Sequence, residues 1–259
     1  HRAEGFYKDI FMDGGVNLSS RRNLPAAESL GLSYELYAGR NPDKQRELII
    51  GNELDENGVL LYPDGQPRFR LIYVNGGGAT AHGKSLESPG RKVFRQFFNN
   101  GGSYSGSCAG SFLSGRNTNK SAPRRLGYLH IFPYNTLTTG IKKTRVGHVI
   151  PHNSPLLKYR DFGGDYYVPE IYHNNGNWLS LDMLKKMKHV KVLASYDLPK
   201  NKVHEGAAIW AYKKDKEAGR IINIGSHPEG TTSGERLELT EACFRYAIDG
   251  GGTPTVKAR

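Results

Sequence analysis

An apolar run, Arg70-Leu71-Ile72-Tyr73-Val74, closes on Asn75 and three consecutive glycines, Gly76, Gly77 and Gly78. A run that is apolar on both faces fits a strand buried inside a parallel sheet, and glycines at its end mark a loop with a functional backbone. A helix is expected over residues 89–100. Pro89 suits its first turn, Val93, Phe94, Phe97 and Phe98 form one stripe, and Asn99-Asn100-Gly101-Gly102 ends it. Residues 104–107 are short and extended, and Cys108 then leads into a second helical start at 109–113. Strand, loop, helix, strand, sharp turn, helix is an α/β rhythm, which predicts a mostly parallel central sheet with helices on both faces.

The rest of the chain is compatible with that plan. Strands are expected at residues 6–12 (before an Asp13-Gly14-Gly15 turn), 33–38, 190–196, 207–212 and 220–224. Helices are expected within 20–30, at 181–188 and at 234–249, where Leu239, Ala242, Cys243, Tyr246 and Ala247 share a core-facing stripe. Residues 39–68 are rich in Asn, Asp, Gly and Pro and read as a hairpin-like excursion, with 59–62 its most strand-like part. Residues 116–177 show few clean periods. They read as an insertion or lid in a single domain spanning 1–259, with strands at 146–150 and 166–172.

Composition narrows the function. Of 259 residues, 36 are Lys or Arg and 25 are Asp or Glu, so 36 − 25 gives +11. That balance excludes disorder as the state of the whole chain, and no run approaches the roughly 18 apolar residues of a membrane-spanning helix. Two cysteines exclude a disulfide scaffold. The basic patches, at 116–125, 142–145, 185–191 and 213–216, are scattered and lack the aromatic interleaving of a single-strand binder, so no nucleic-acid partner is expected. No cofactor motif or metal-ligand spacing is present; His148 and His152 are separated by Pro151 and need not share a face. The sequons at Asn17 and Asn119 are too common a pattern to fix a compartment. A chain starting at His1 permits a processed secreted or periplasmic protein, with a cytoplasmic one the alternative.

Three segments carry chemistry. In Gly106-Ser107-Cys108-Ala109-Gly110, small residues flank a nucleophile at a strand-to-helix junction, which is the nucleophile-elbow pattern. The helix start beyond Cys108 sets backbone N–H groups and a positive dipole end beside the sulfur, which favours the thiolate. In Gly225-Ser226-His227-Pro228-Glu229, residues i and i+2 of an extended segment point the same way, so Glu229 can fix the His227 tautomer while His227 takes the Cys108 proton. The backbone N–H groups of Gly77, Gly78 and Ala109 can form an oxyanion hole. His82, Tyr104, Phe112 and His173 are candidate pocket residues, with Glu170 a candidate partner for His173. Cys243, on an apolar helix stripe, reads as a buried structural cysteine.

Together these segments resemble the class I glutamine amidotransferase-like superfamily, and within it the biotin-protein-ligase N-terminal-like branch. The branch pattern Gly-Gly-x-Tyr-x-Gly-x-Cys-Ala-Gly is matched by Gly101 through Gly110, and a distal His-Pro-Glu by His227-Pro228-Glu229. Tyr172-His173-Asn174-Asn175-Gly176 is a looser echo of its aromatic-Asn-Gly. The resemblance implies a flavodoxin-like three-layer α/β fold and a Cys-His-Glu triad. True glutaminases of the superfamily have Gln four residues after the nucleophile, where this chain has Phe112. The expected activity is therefore that of a cysteine-dependent hydrolase or acyl-transferase on a small-molecule or peptide-like amide, not a glutaminase. The alternative is a catalytically silent ligand-binding or regulatory protein on the same scaffold.

Overall fold

In the computed structural model, which describes residues 5–13, 24–37, 41–52, 56 and 58–253, the apolar runs become strands. β1 (Lys8–Asp13), β2 (Tyr34–Tyr37), β3 (Phe69–Val74), β4 (Ser103–Ser107) and β11 (Arg220–Ile224) pair in parallel. Beyond β11 the sheet continues in antiparallel pairs through β10 (Ala207–Lys213), β9 (Val190–Asp197), β6 (Thr144–Val149) and β7 (Tyr167–His173). The order across the nine-stranded sheet is β2-β1-β3-β4-β11-β10-β9-β6-β7. Only β10 and β6 run against the rest, so the sheet is mostly parallel in direction. A small second ribbon joins β5 (Leu137–Thr138) to β8 (Asn177–Trp178).

Alternation along the strands divides the core in two. Ile10, Met12, Leu71, Tyr73, Ile222 and Ile224 face one side, and α1 (Leu24–Ser29) and α7 (Glu235–Ile248) cover them. Phe11, Phe69, Ile72, Val74 and Ile221 face the other, under α2 (Pro42–Ile50), α4 (Glu87–Asn99) and α5 (Ala109–Ser114). The stripe on α4 buries Phe94, Phe97 and Phe98, as its spacing predicts. Each Å² of apolar surface that these two faces remove from water contributes roughly 25 cal/mol of stability. The result is the three-layer α/β fold expected of a flavodoxin-like chain.

Two helices differ from expectation. Residues 39–68 read as a hairpin-like excursion, but α2 occupies 42–50. The Asn41 side chain accepts from the Asp43 and Lys44 amides and Pro42 lies in the first turn, so residues read as turn formers are a helix cap. Of the excursion, an antiparallel bridge between Leu61 and Pro67 remains. The glycine loop also runs into a helix, α3 (Ala79–Ser85), before α4. A short α6 (Leu181–Leu184) completes the set. The Gly14-Gly15 turn, the Asn17 sequon and the first residues of the 20–30 helix lie outside the described residues.

Candidate active site

β4 sits between β3 and β11, in parallel register with both: Val74 pairs with Gly106, and Ile224 with Ser107. The loops leaving these three strands therefore emerge side by side at the carboxyl edge, where open α/β sheets hold their ligands. They are the glycine loop, Cys108 and residues 225–229.

Cys108 stands just ahead of α5 with φ 45° and ψ −106°. A non-glycine residue with positive φ is held there by its surroundings. Its amide donates to Ile224 O at 2.8 Å, and its carbonyl accepts from the Phe112 amide at 3.0 Å. The flanking glycines permit the approach. A Cβ on Gly110 would run into the Val74 carbonyl oxygen, and one on Gly106 into the Gly110 carbonyl. Ala109 opens α5, and Gly77 and Gly78 stand exposed just ahead of α3. The first N–H groups of a helix have no acceptor within it.

His227 donates from Nδ1 to Glu229 Oε1 at 2.8 Å and also hydrogen-bonds the Cys108 side chain. Burial pushes the imidazole down, but the bonds to Cys108 and Glu229 outweigh it and hold the ring up at about 10. Gly76 backs directly onto the ring, so a Cβ there would strike it. The Glu229 side chain is buried and is braced from below: Ser107 Oγ donates to its Oε1 at 3.4 Å and itself accepts from Tyr73 Oη at 2.8 Å.

The far edge of the sheet returns to this point. Tyr172, near the end of β7, accepts from the His227 amide at 2.8 Å, and its ring centroid lies 5.6 Å from the imidazole. The Asn174 carbonyl oxygen lies 3.8 Å from Cys108 Sγ. Behind His227, Ser226 Oγ bridges His148 Nε2 at 3.1 Å and His173 Nδ1 at 2.8 Å, and His173 Nε2 reaches Thr139 Oγ1 at 2.7 Å. Burial pushes His148 down to about 3 and His173 down to about 4.

The candidate pocket residues have other surroundings. His82 is buried and bonded to Asp13 at 2.9 Å and Gln45 at 3.0 Å, so it ties α3 to β1 and α2. Tyr104 is buried in β4, and its hydroxyl donates to Gly110 O at 2.7 Å, bracing the elbow rather than lining open space. Phe112 packs into the core face beneath α5. His173 borders the site through its bond to Ser226 and lies near enough to His227 to feel its charge, and Glu170 is not its partner: that carboxylate is exposed beside Arg145. Cys243 is fully buried in α7, and burial pushes its thiol up to about 12. Sequence reasoning missed Ser226 and His148, although Ser226 adjoins a candidate catalytic histidine. His152 packs against Tyr166, with ring centroids 4.2 Å apart and the planes tilted, instead of joining His148. Among the described residues, no group of three or more His, Cys, Asp or Glu is placed to hold a metal, and no helix is long and apolar enough to cross a membrane.

Solved structures share this architecture. A ThuA-like protein from Bacteroides uniformis superposes with a TM-score of 0.57 at 15% identity, over 97% of this chain and 96% of its own. The glutaminase domain of Trypanosoma brucei CTPS, with bound acivicin, gives 0.53 at 13% identity, over 93% and 94%. A glutamine amidotransferase gives 0.51 at 15%, over 92% and 97%. The chain has the glutamine amidotransferase-like fold. At these identities the likeness extends to the scaffold and not to an activity. No protein-family model and no curated protein matches the sequence.

Proposed function

We propose that this chain is a cysteine-dependent hydrolase or acyl-transferase acting on an amide C–N bond. The observation that carries the reading is the Cys108 elbow, with the glycine loop on one side and, on the other, an imidazole bonded to both Cys108 and Glu229. Cys108 Sγ attacks the amide carbonyl while its proton rests on His227, and Glu229 stabilises the imidazolium. N–H groups at Gly77, Gly78 and Ala109 receive the developing oxyanion. His227 then gives the proton to the leaving amine, the C–N bond breaks and an acyl thioester remains. Water or an acceptor nucleophile, deprotonated by His227, releases the acyl group and restores the thiol.

A small or peptide-like amide is the proposed substrate. Phe112, where glutaminases have Gln, argues against glutamine itself. The run Gly101 through Gly110 and His227-Pro228-Glu229 favour the biotin-protein-ligase N-terminal-like branch. The return of Tyr172 and Asn174 over the elbow supports a lid role for residues 116–177 within a single domain. Alkylation by iodoacetamide at neutral pH tests the reading. Cys108 should label at least about tenfold faster than Cys243, and His227→Ala should remove the advantage. An amide and ester library should turn over with the native chain and not with Cys108→Ser. Equal, sluggish labelling of both thiols would instead mark a silent ligand-binding scaffold.

A further inference from the structure

Residues 116–130 leave the elbow helix α5 and turn back onto α3. There the Arg125 guanidinium donates to Thr80 Oγ1 at 3.1 Å, in the first turn of α3 and two residues beyond Gly78. Its Cζ lies 5.3 Å from the Tyr128 ring centroid, and the Arg125 backbone N–H donates to Arg116 O at 2.8 Å. Arg91 and Arg95, one turn apart on α4, donate to Gly83 O at 2.6 Å and Leu129 O at 3.5 Å. His130 Nε2 meets Arg125 O at 2.6 Å. Arg116, Arg124 and Arg125 are exposed, while Arg91 and Arg95 are half-buried.

The charge of this cluster is little compensated among the described residues: Glu87 acts on Arg91 through space without an ion pair. Among the described residues, none of its five guanidiniums forms an ion pair with a carboxylate, whereas Arg46, Arg70, Arg145 and Arg160 each do. Glu87, on the same helix as Arg91, is engaged by Arg46. The cations also act on one another. Burial, then Arg124 and Arg91, hold Arg95 below its usual range, and burial brings His130 to about 4 with Arg124, Arg95 and Arg116 adding to it. Guanidiniums fixed on backbone carbonyls keep N–H donors free for a ligand, and their mutual repulsion falls when an anion arrives.

We propose that this cluster binds an anionic group, carboxylate or phosphate, on the substrate whose amide is delivered to Cys108. The inference rests on the cysteine-amide reading and adds a substrate class to it. Two residues span at most about 7 Å, and Arg125 is hydrogen-bonded to Thr80, two residues beyond Gly78, so its charge lies on the flank of the glycine loop.

Charge-matched alkylating probes test this on the full chain. Iodoacetate and iodoacetamide both lose iodide as the sulfur forms a thioether, and they differ in the carboxylate. The readout is the ratio of their rates at Cys108 in low salt. Arg124→Gln/Arg125→Gln should lower the iodoacetate-to-iodoacetamide ratio about tenfold. Lys214→Gln/Lys216→Gln, which removes the same charge from the β10–β11 turn at the opposite sheet edge, should leave it in place. Inorganic phosphate that slows iodoacetate more than chloride does at equal ionic strength identifies a phosphate-type site, acetate that does so identifies a carboxylate-type site, and equal slowing by all three salts is screening alone and overturns a bound anion. An identical ratio in the native chain and both double variants overturns the inference while leaving the cysteine reading intact. Sluggish labelling of Cys108 by both reagents, no faster than Cys243, sinks the cysteine reading and this inference with it.

Discussion

Cys108 keeps its unusual backbone because both of its neighbours two residues away lack side chains. Gly110 is the tighter case, since the atom it faces is the Val74 carbonyl oxygen of a buried strand, which cannot swing aside. Gly110→Ala should cost about 3 kcal/mol, as overpacking of a rigid interior does. A urea melt with an unchanged midpoint, together with undiminished Cys108 alkylation, would contradict the close-packed elbow. His227 makes a second prediction at this scale. Its folded value, about 10, lies above the 6.5 of an unperturbed ring, so between those values the native ring holds a proton that the unfolded ring has lost. The stabilisation is then fully present below pH 6.5 and is lost as pH rises through 10. Chemical denaturation from pH 6 to 10 should show stability falling in the native chain and a flatter profile in His227→Gln. Parallel profiles would mean that the bonds to Cys108 and Glu229 do not hold the imidazolium.

At the scale of elements, Ser226 fastens β6 and β7 to the loop after β11 through His148 and His173. Both rings are buried in neutral form, at about 3 and about 4 when folded. Below pH 6.5 the unfolded chain takes up protons that the folded chain refuses, so stability is lost as pH falls from 6.5 towards 4, by an order of a few kcal/mol. His148→Gln should flatten that acid limb, read by circular dichroism across pH 3.5 to 7; an unchanged limb would place the acid sensitivity elsewhere. The sequence hid this network for a physical reason. β6 and β7 lie in residues 116–177, where apolar periodicity is weak because these strands carry polar network residues inward. α2 was hidden in another way: Asn41-Pro42-Asp43 is chemically a turn signal, and only the helix built behind it shows that Asn41 is a cap. Strands with apolar residues on both faces, β3 and β11 above all, were legible because burial leaves little freedom of composition.

Over the whole molecule, the legible part of the site is the part that consecutive parallel strands impose. Once β3, β4 and β11 are neighbours, the glycine loop, Cys108 and His227 must share an edge, and motif order is enough to place them. What was not legible is the return of the sheet onto itself. β7 is separated from β11 by β10, β9 and β6 in the sheet order, yet Tyr172 bridges to His227. That contact joins strands far apart in the sheet order, which no local pattern encodes. Gly176 is where it is tightest, because a Cβ there would run into the Gly225 carbonyl oxygen. Gly176→Ala should therefore push the far edge off the site without touching Cys108, His227 or Glu229. Hydrogen exchange at the His227 amide, held at 2.8 Å by Tyr172 O, should accelerate about tenfold or more, while exchange at the Cys108 amide on Ile224 stays slow. If the two amides exchange together, or neither changes, then the far edge and the elbow do not open independently, and residues 116–177 act as part of the core instead of a cover that moves over it.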